Sequence, residues 1–115
     1  MGSITEDPRL DSLFTALSDR TRRDIVTRLS TGEATVKDLA EPYAMTVQAV
    51  SQHIRVLERS GLVSQRQHRQ TRPCQLEPVA LESALTWLEE SRRTWSERMD
   101  RLETHLAGLQ EKGDR

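Results

Sequence analysis

"MTVQAVSQHIRVLERSGLV", residues 45–63, has the features of a helix with both of its ends specified. Thr46 is a favoured N-cap residue, and Gly61 stands just past the last turn, where helices commonly end in a left-handed glycine. Apolar residues recur between these ends at spacings of three, four and three, which predicts one buried face. That face consists of Val47, Val50, Ile54 and Leu57.

Three shorter helices are predicted before this one. The first follows Pro8 and carries one apolar stripe, formed by Leu10, Leu13, Phe14 and Leu17. The second begins at the N-cap residue Asp19 and stops at Gly32. The third covers roughly residues 36–43 and is ended or bent around Pro42.

The helical period is lost after Gly61. "LVSQRQHRQTRPCQLEP", residues 62–78, has apolar residues near its two ends and a polar, basic middle. Two short strands joined near residues 68–71 fit this pattern, and Pro73 makes the second strand short or places it at a sheet edge. Three arginines surround the tip of this hairpin, where they have little to bury and much to offer a phosphate: Arg66, Arg69 and Arg72.

The last third of the chain is predicted to be one long helix with a heptad seam. Seam positions alternate spacings of four and three for about four repeats, and Arg92 is their single polar member. A domain of this size has no other helix to cover such a seam, so we expect a two-fold homodimer through the first and last helices. The expected interface residues are Leu10, Leu13, Phe14, Leu17, Leu81, Leu85, Leu88, Trp95, Met99, Leu102 and Leu106.

This α-α-α-α-β-β-α order predicts a winged helix-turn-helix, a mainly α fold with a small β-hairpin. In that fold the fourth helix enters the major groove of DNA, and the hairpin, or wing, reaches the backbone or the neighbouring minor groove. Gln side chains pair with adenine, and arginines on the wing bind phosphate. The expected DNA contacts are Thr46, Val47, Gln48, Ser51, Gln52, Arg55, Arg66, Arg69 and Arg72, with His53, His68, Gln70, Arg22 and Arg23 as secondary candidates.

Charge is distributed unevenly along the chain, although its net charge is −1. Residues 20–29 contain four basic residues and one acidic residue, and residues 44–77 contain five basic and two acidic residues. A nucleic-acid footprint needs only such a local basic surface. No apolar run has the length of a membrane span, and the single cysteine excludes an intrachain disulfide and fits a reducing compartment. We therefore expect a cytoplasmic protein with no membrane partner.

The stretch "LFTALSDRTRRDIVTRLSTGEATVKDLAEPYAMTVQAVSQHIRVLERSGLVSQRQ", residues 13–67, resembles the ArsR family of bacterial winged-helix repressors. The shared features are the "D.TRR.I...L" entry, the "V.DLA" third helix, the "S.H...L...GLV" recognition-helix ending and a basic wing. The resemblance covers roughly residues 10–105 and implies a homodimeric, sequence-specific transcriptional repressor that binds an inverted repeat. The tail "WLEESRRTWSERMDRLETHL", residues 87–106, further resembles a subgroup of small autorepressors that lack the metal sites.

The metal-ligand positions of the family are not matched by this sequence. Thiolate-sensing members carry Cys-x-Cys at the third helix, where this chain has Val36, Lys37 and Asp38. Zinc sensors use carboxylate and histidine pairs on the last helix, where His105 is the only histidine here. Zinc prefers four ligands in a closed site, so we expect no metal site and no cofactor.

Several single residues have a structural interpretation beside the functional one. His53 is either a DNA ligand or a packed, hydrogen-bonded histidine at the edge of the core. Cys74 is either a redox-sensing thiol or a small buried hydrophobic residue. Trp87 and Trp95 fit dimer packing or a ligand pocket between protomers, and the arginines of residues 20–23 are either solvated or in contact with phosphates.

Two other classes of protein are weighed against a DNA-binding regulator. An enzyme is not expected, because the sequence has no glycine-rich phosphate loop, nucleophile elbow or clustered metal ligands. A winged-helix protein-interaction module without DNA binding, or a metal- or redox-responsive repressor, remains the alternative. We expect one domain over residues 1–115, with dimerisation helices at 9–18 and 78–109 and flexible ends at 1–8 and 110–115.

Overall fold

The computed structural model describes residues 8–113, which form five helices and one antiparallel pair of strands. In chain order the elements are α1 (Pro8–Ala16), α2 (Arg20–Leu29), α3 (Val36–Ala40), α4 (Val47–Arg59), β1 (Val63–Gln65), β2 (Cys74–Leu76) and α5 (Pro78–Gly113). This order confirms the predicted winged helix-turn-helix architecture. No helix within the described range is both long enough and apolar enough to cross a bilayer.

The short helices begin at the residues that their capping chemistry predicts. Asp19 caps α2 by accepting a hydrogen bond from the backbone N–H of Arg22 at 3.0 Å. Thr35 caps α3 in the same way. α3 ends at Ala40, three residues earlier than predicted, and the backbone N–H of Tyr43 bonds to the Ala40 carbonyl in the turn that follows.

Both predicted ends of α4 are confirmed. The Thr46 hydroxyl accepts a hydrogen bond from the Ala49 N–H at 3.1 Å, and Gly61 has a φ of 82°, which favours glycine over any side chain. The backbone N–H of Leu62 closes the helix by bonding to the Leu57 carbonyl at 3.1 Å, as in a Schellman ending.

The buried face of α4 is shorter than predicted. Val50, Ile54 and Leu57 have almost no exposed surface, whereas 48% of Val47 is exposed. Val47 is the first residue of the helix, where the chain is still entering from the turn and no neighbouring element covers it.

The wing is a regular hairpin. Val63 pairs with Leu76 and Gln65 with Cys74, and the same register continues to a bridge between His68 and Thr71. Only Arg69 and Gln70 lie in the loop, and Arg69 has a φ of 56°, a conformation for which a turn usually uses glycine. β2 begins directly after Pro73, which confirms the short second strand.

The core lies among α1 to α4 and the base of the wing. Its largest fully buried side chains are Leu13, Ile25, Leu39, Val50, Ile54, Leu57, Leu62 and Cys74. Ala34 pairs with the free edge of β2 through two backbone hydrogen bonds to Cys74, of 2.7 and 3.1 Å. The α2–α3 loop therefore holds the base of the wing in place.

The chain divides into two compact units, one ending at Ser83 and the other beginning at Ala84. From Ala84 to Gly113 the second unit is helix, and the large apolar side chains in that range are exposed, between 37% and 62% of each. The single domain stays a prediction. A helix that packs mainly on a second chain also separates as its own unit when one chain is considered alone.

The predicted flexible ends differ from the helix boundaries. Pro8 is the first residue of α1, and residues 110–113 continue α5 to Gly113, because nothing in that stretch breaks the helix before its glycine. Residues 1–7 and 114–115, the remainder of the two predicted flexible ends, lie outside the described part of the chain.

Candidate nucleic-acid interface

The exposed face of α4 is polar, and the fold does not use its side chains. Gln48, Gln52 and Arg55 are exposed, and Ser51 is half-buried. Within residues 8–113 the side chains of these four residues form no hydrogen bond or ion pair with the rest of the protein. Amide and hydroxyl groups left open on the first two turns of a helix can reach base edges.

Thr46 has a local structural task. Its hydroxyl caps α4, so this oxygen stabilises the helix end whatever else the residue contacts. Val47 beside it is exposed and apolar. These two residues therefore differ chemically from the glutamines that follow them.

The wing presents its three arginines to solvent. Arg66, Arg69 and Arg72 are exposed, and none of their guanidinium groups makes a salt bridge or side-chain hydrogen bond with the described residues. His68 and Gln70 are exposed at the same tip. Unpaired guanidinium groups on a protruding hairpin suit contacts with a phosphate backbone.

A side-chain contact connects the base of the wing to α4. The Gln65 amide donates to the Glu58 carboxylate at 3.0 Å, and Glu58 lies in the last turn of α4. Ser64 on the same strand donates to Glu77 just after β2. Glu58 and Gln65 could not be identified from the sequence, because no short sequence motif indicates a side-chain pair seven residues apart across a turn.

Arg22, a secondary candidate for phosphate contact, is used inside the protein. Its guanidinium donates to the carbonyls of Ala16 at 2.6 Å and Thr15 at 3.2 Å, which lie at the end of α1. Arg23 donates to the Leu17 carbonyl at 2.8 Å. Arg22 therefore satisfies carbonyl groups at the end of α1, and Arg23 satisfies the carbonyl of the residue that follows the helix.

His53 is a packed histidine in contact with that arginine. Its Nδ1 lies 3.2 Å from Arg22 Nη1 and 3.8 Å from the Asp19 carboxylate. Because a guanidinium only donates, the contact with Arg22 requires an unprotonated Nδ1. The hydrogen bond from the backbone N–H of Arg22 lowers the pKa of Asp19 and outweighs the opposing effect of burial. These contacts favour the structural interpretation of His53 over a role in binding DNA.

Cys74 is buried where β2 pairs with both β1 and Ala34. Burial, together with the negative charge of Glu58, raises the pKa of its thiol to about 11. At neutral pH the sulfur is therefore a protonated thiol, whereas redox sensing relies on an exposed thiolate. The arrangement fits a small buried hydrophobic residue.

The expected dimer residues are not all available to a partner. Leu13 is 2% exposed, which corrects its assignment to the interface, because the core of a single chain already covers it. Leu10, Leu17 and Leu81 are half-buried. The remaining seven are exposed: Phe14, Leu85, Leu88, Trp95, Met99, Leu102 and Leu106.

In the described part of the chain, no three His, Cys, Asp or Glu side chains gather closely enough to hold a metal ion. Val36, Lys37 and Asp38 lie on α3, and His105 lies on the exposed part of α5. The expectation of a metal-free regulator rests on the missing thiolates of α3.

Residues 17–66 match a family model described as a helix-turn-helix domain. The chain is 40% identical over 86 residues to the HTH-type transcriptional regulator Rv2034 of Mycobacterium tuberculosis, covering 75% of this chain and 78% of that protein. It is 28% identical over 79 residues to the transcriptional repressor SdpR of Bacillus subtilis, covering 69% of this chain and 88% of that protein.

The same relationship is found among solved structures. The crystal structure of the ArsR family transcriptional regulator RHA00566 superposes with a TM-score of 0.71 and 36% identity, covering 76% of this chain and 97% of that one. The matched proteins are regulators of transcription and not enzymes. This chain therefore belongs to the ArsR family of winged helix-turn-helix transcriptional regulators.

Proposed function

We propose that this protein is a sequence-specific transcriptional repressor that binds an inverted-repeat operator as a homodimer. The observation that carries the proposal is the division of α4 into a buried apolar face, formed by Val50, Ile54 and Leu57, and an exposed face that carries the amides of Gln48 and Gln52 and the guanidinium of Arg55. A helix that only stabilised the fold would gain nothing from uncharged polar groups there, whereas base edges are read by such groups. In the proposed complex Gln48, Ser51 and Gln52 contact bases.

The wing supplies affinity in this proposal. Arg66, Arg69 and Arg72 contact phosphates, and Arg55 contacts the backbone beside the bases read by α4. Phosphate contacts fix the position of the protein on the duplex and carry little sequence information. The hydrogen bond between Gln65 and Glu58 supports a fixed geometry between these two sets of contacts.

The dimer in this proposal is formed by α1 and α5. From Leu85 onward the seam residues of α5 leave apolar surface in water, which a second copy would cover at a gain of about 25 cal/mol for each Å² removed from water. A two-fold dimer presents two copies of α4, and helix-turn-helix dimers bind half-sites about 34–36 Å apart. An inverted repeat is the DNA symmetry that matches such a dimer.

We further propose that the protein is regulated without a metal and that it acts in the cytoplasm. Metal-independent regulation is supported by the absence of cysteine from α3. The single cysteine, Cys74, is buried in the wing. A repressor of bacterial genes works where the chromosome is, which in bacteria is the cytoplasm. The similarity to a protein named as a repressor favours repression over activation.

The test is a salt titration of binding to a duplex selected from a random DNA pool. A dimer making about 6 to 10 phosphate contacts is expected to lose on the order of 10³ to 10⁵ in affinity between 50 and 200 mM salt. A scrambled duplex of the same length and composition is the control, and it should bind more weakly at every salt concentration. If selection enriches no sequence, or the selected duplex binds no better than the scrambled one, the proposal is wrong.

Repression itself is measured by transcription in vitro from a promoter that overlaps the selected operator. Transcript should fall as the repressor is added and stay constant on a promoter with the scrambled site. An increase in transcript would contradict repression while leaving DNA binding in place.

A further inference from the structure

Two large apolar side chains are exposed to solvent at the start of α4. Up to residue 83, the described part of the chain exposes four large apolar side chains, and two of them, Met45 and Val47, flank the N-cap residue of α4. Their exposed fractions are 37% and 48%. The other two, Phe14 and Val79, lie on α1 and at the start of α5.

Met45 and Val47 share one surface groove. The groove has a volume of about 370 Å³ and is also lined by Ala40 and Tyr43 from the end of α3 and the following turn. Its remaining lining residues are one lysine and two acidic residues, Lys37, Asp38 and Glu41. This mixed rim does not favour a phosphate backbone, so a ligand of the groove would bind through its apolar part.

We infer that Val47, assisted by Met45, reads the C5-methyl group of a thymine in each operator half-site. This inference rests on the proposed function, because it requires α4 in the major groove. Thymine carries the only methyl group on the major-groove edges of the four bases, and apolar side chains are what recognise it. The N-terminal residues of a recognition helix are also those that reach base edges.

A base is the expected ligand of Val47, because Val47 adjoins the polar face of α4. Val47 directly precedes Gln48, whose amide can pair with adenine, so the two neighbours together would read adjacent positions of an A·T-rich element. A protein partner is less suited to this surface, because two side chains and a shallow groove offer little area compared with a standard protein interface. The inferred specificity therefore comes from Val47 for thymine and Gln48 for adenine.

The test compares operator duplexes in which single thymines are replaced by deoxyuridine, which lacks only the methyl group. One thymine in each half-site should show the effect, with affinity falling about fourfold, the equivalent of removing one buried methyl group. All other thymine replacements should leave affinity unchanged. The wild-type dimer, the selected operator and competition binding at constant salt are used throughout.

Variants assign the effect to its residue. In Val47→Ala the uridine duplex and the thymine duplex should bind equally, and in Met45→Ala the difference should shrink. Val79→Ala is the matched control, because Val79 is also an exposed valine in the first turn of a helix; it should keep the full fourfold difference. Circular dichroism checks that all three variants are folded.

The outcomes separate the two proposals. A selected operator bound equally well with thymine and uridine at every position would overturn the inference and leave the proposed function standing. A methyl effect that persists unchanged in Val47→Ala would also overturn it, because another residue would then read the methyl group. Failure to select any duplex would contradict the proposed function itself.

Discussion

At the scale of single residues, charge and burial decide which side chains remain available for DNA. Arg22 and Arg66 have the same chemistry, yet one donates to carbonyls at the end of α1 and the other projects from the wing. From the sequence Arg66 is an expected DNA contact and Arg22 a secondary candidate that could equally be solvated. The carbonyl partners of Arg22 could not be predicted, because they are backbone groups with no sequence signal. The exposed wing arginines were predictable, since a hairpin tip offers them nothing to pack against.

Val47 and Leu13 show a similar limit to what can be predicted from sequence. Periodicity placed Val47 in the core and Leu13 in a dimer interface, whereas the structure exposes the first and buries the second. A helical period identifies the apolar face, but it does not say where along the helix the neighbouring elements begin or end. The ends of an apolar stripe are therefore its least predictable residues.

Cys74 predicts a specific dependence of stability on pH. Its thiol pKa of about 11 in the folded protein exceeds its ordinary value of 9.0, so the folded state retains the proton more tightly than the unfolded state does. The resulting stabilisation is present below pH 9 and lost as the pH rises through 11, and amounts to about 2 to 3 kcal/mol for a shift of this size.

Urea denaturation of the wild type and of Cys74→Ala between pH 8 and 11 measures this effect. The free energy of unfolding should fall more steeply with pH for the wild type than for Cys74→Ala, which has no thiol to titrate. Parallel curves would mean that the thiol titrates alike in the folded and unfolded chains.

At the scale of elements, helix ends were predictable where a capping residue specifies them and less so where a turn does. Thr46 and Gly61 set the limits of α4 as the sequence indicates. α3 instead ends at Ala40, because Pro42 has no backbone N–H to continue the helical hydrogen bonds beyond Glu41.

Arg22 connects three helices and should therefore stabilise their packing. Arg22→Ala removes hydrogen bonds to Thr15, Ala16 and His53, and we expect a loss of about 1 to 3 kcal/mol in the free energy of unfolding. Arg23→Ala is the matched control, because Arg23 is exposed and makes one such bond, to Leu17. Chemical denaturation of both variants tests this, and equal losses would contradict the larger stabilising role assigned to Arg22.

At the scale of the whole molecule, the exposed seam of α5 is the feature that one chain leaves unexplained. A heptad pattern could be recognised in the sequence, and the structure shows that its apolar residues are exposed within one chain. The partner that covers the seam could not be derived from sequence, because a heptad pattern specifies neither the orientation nor the number of helices that pack on it.

Leu102→Glu places a charge within this seam. Leu102 is exposed in the single chain, so the substitution should leave the winged helix folded while shifting the protein from dimer to monomer in sedimentation. Glu97→Gln is a control for charge changes on the same helix and should sediment as the wild type does. A Leu102→Glu protein that remains dimeric at low concentration would show that the dimer forms elsewhere.

The central claim is that α4 reads bases while the wing holds the backbone. The most direct measurement compares the affinity of Gln48→Ala and Arg72→Ala for the selected operator and for random DNA. We expect Gln48→Ala to lose about 1 to 3 kcal/mol on the operator and almost nothing on random DNA. Arg72→Ala should weaken binding to both alike and reduce the salt dependence. Equal losses of Gln48→Ala on the two DNAs would contradict the assignment of α4 as the reading helix.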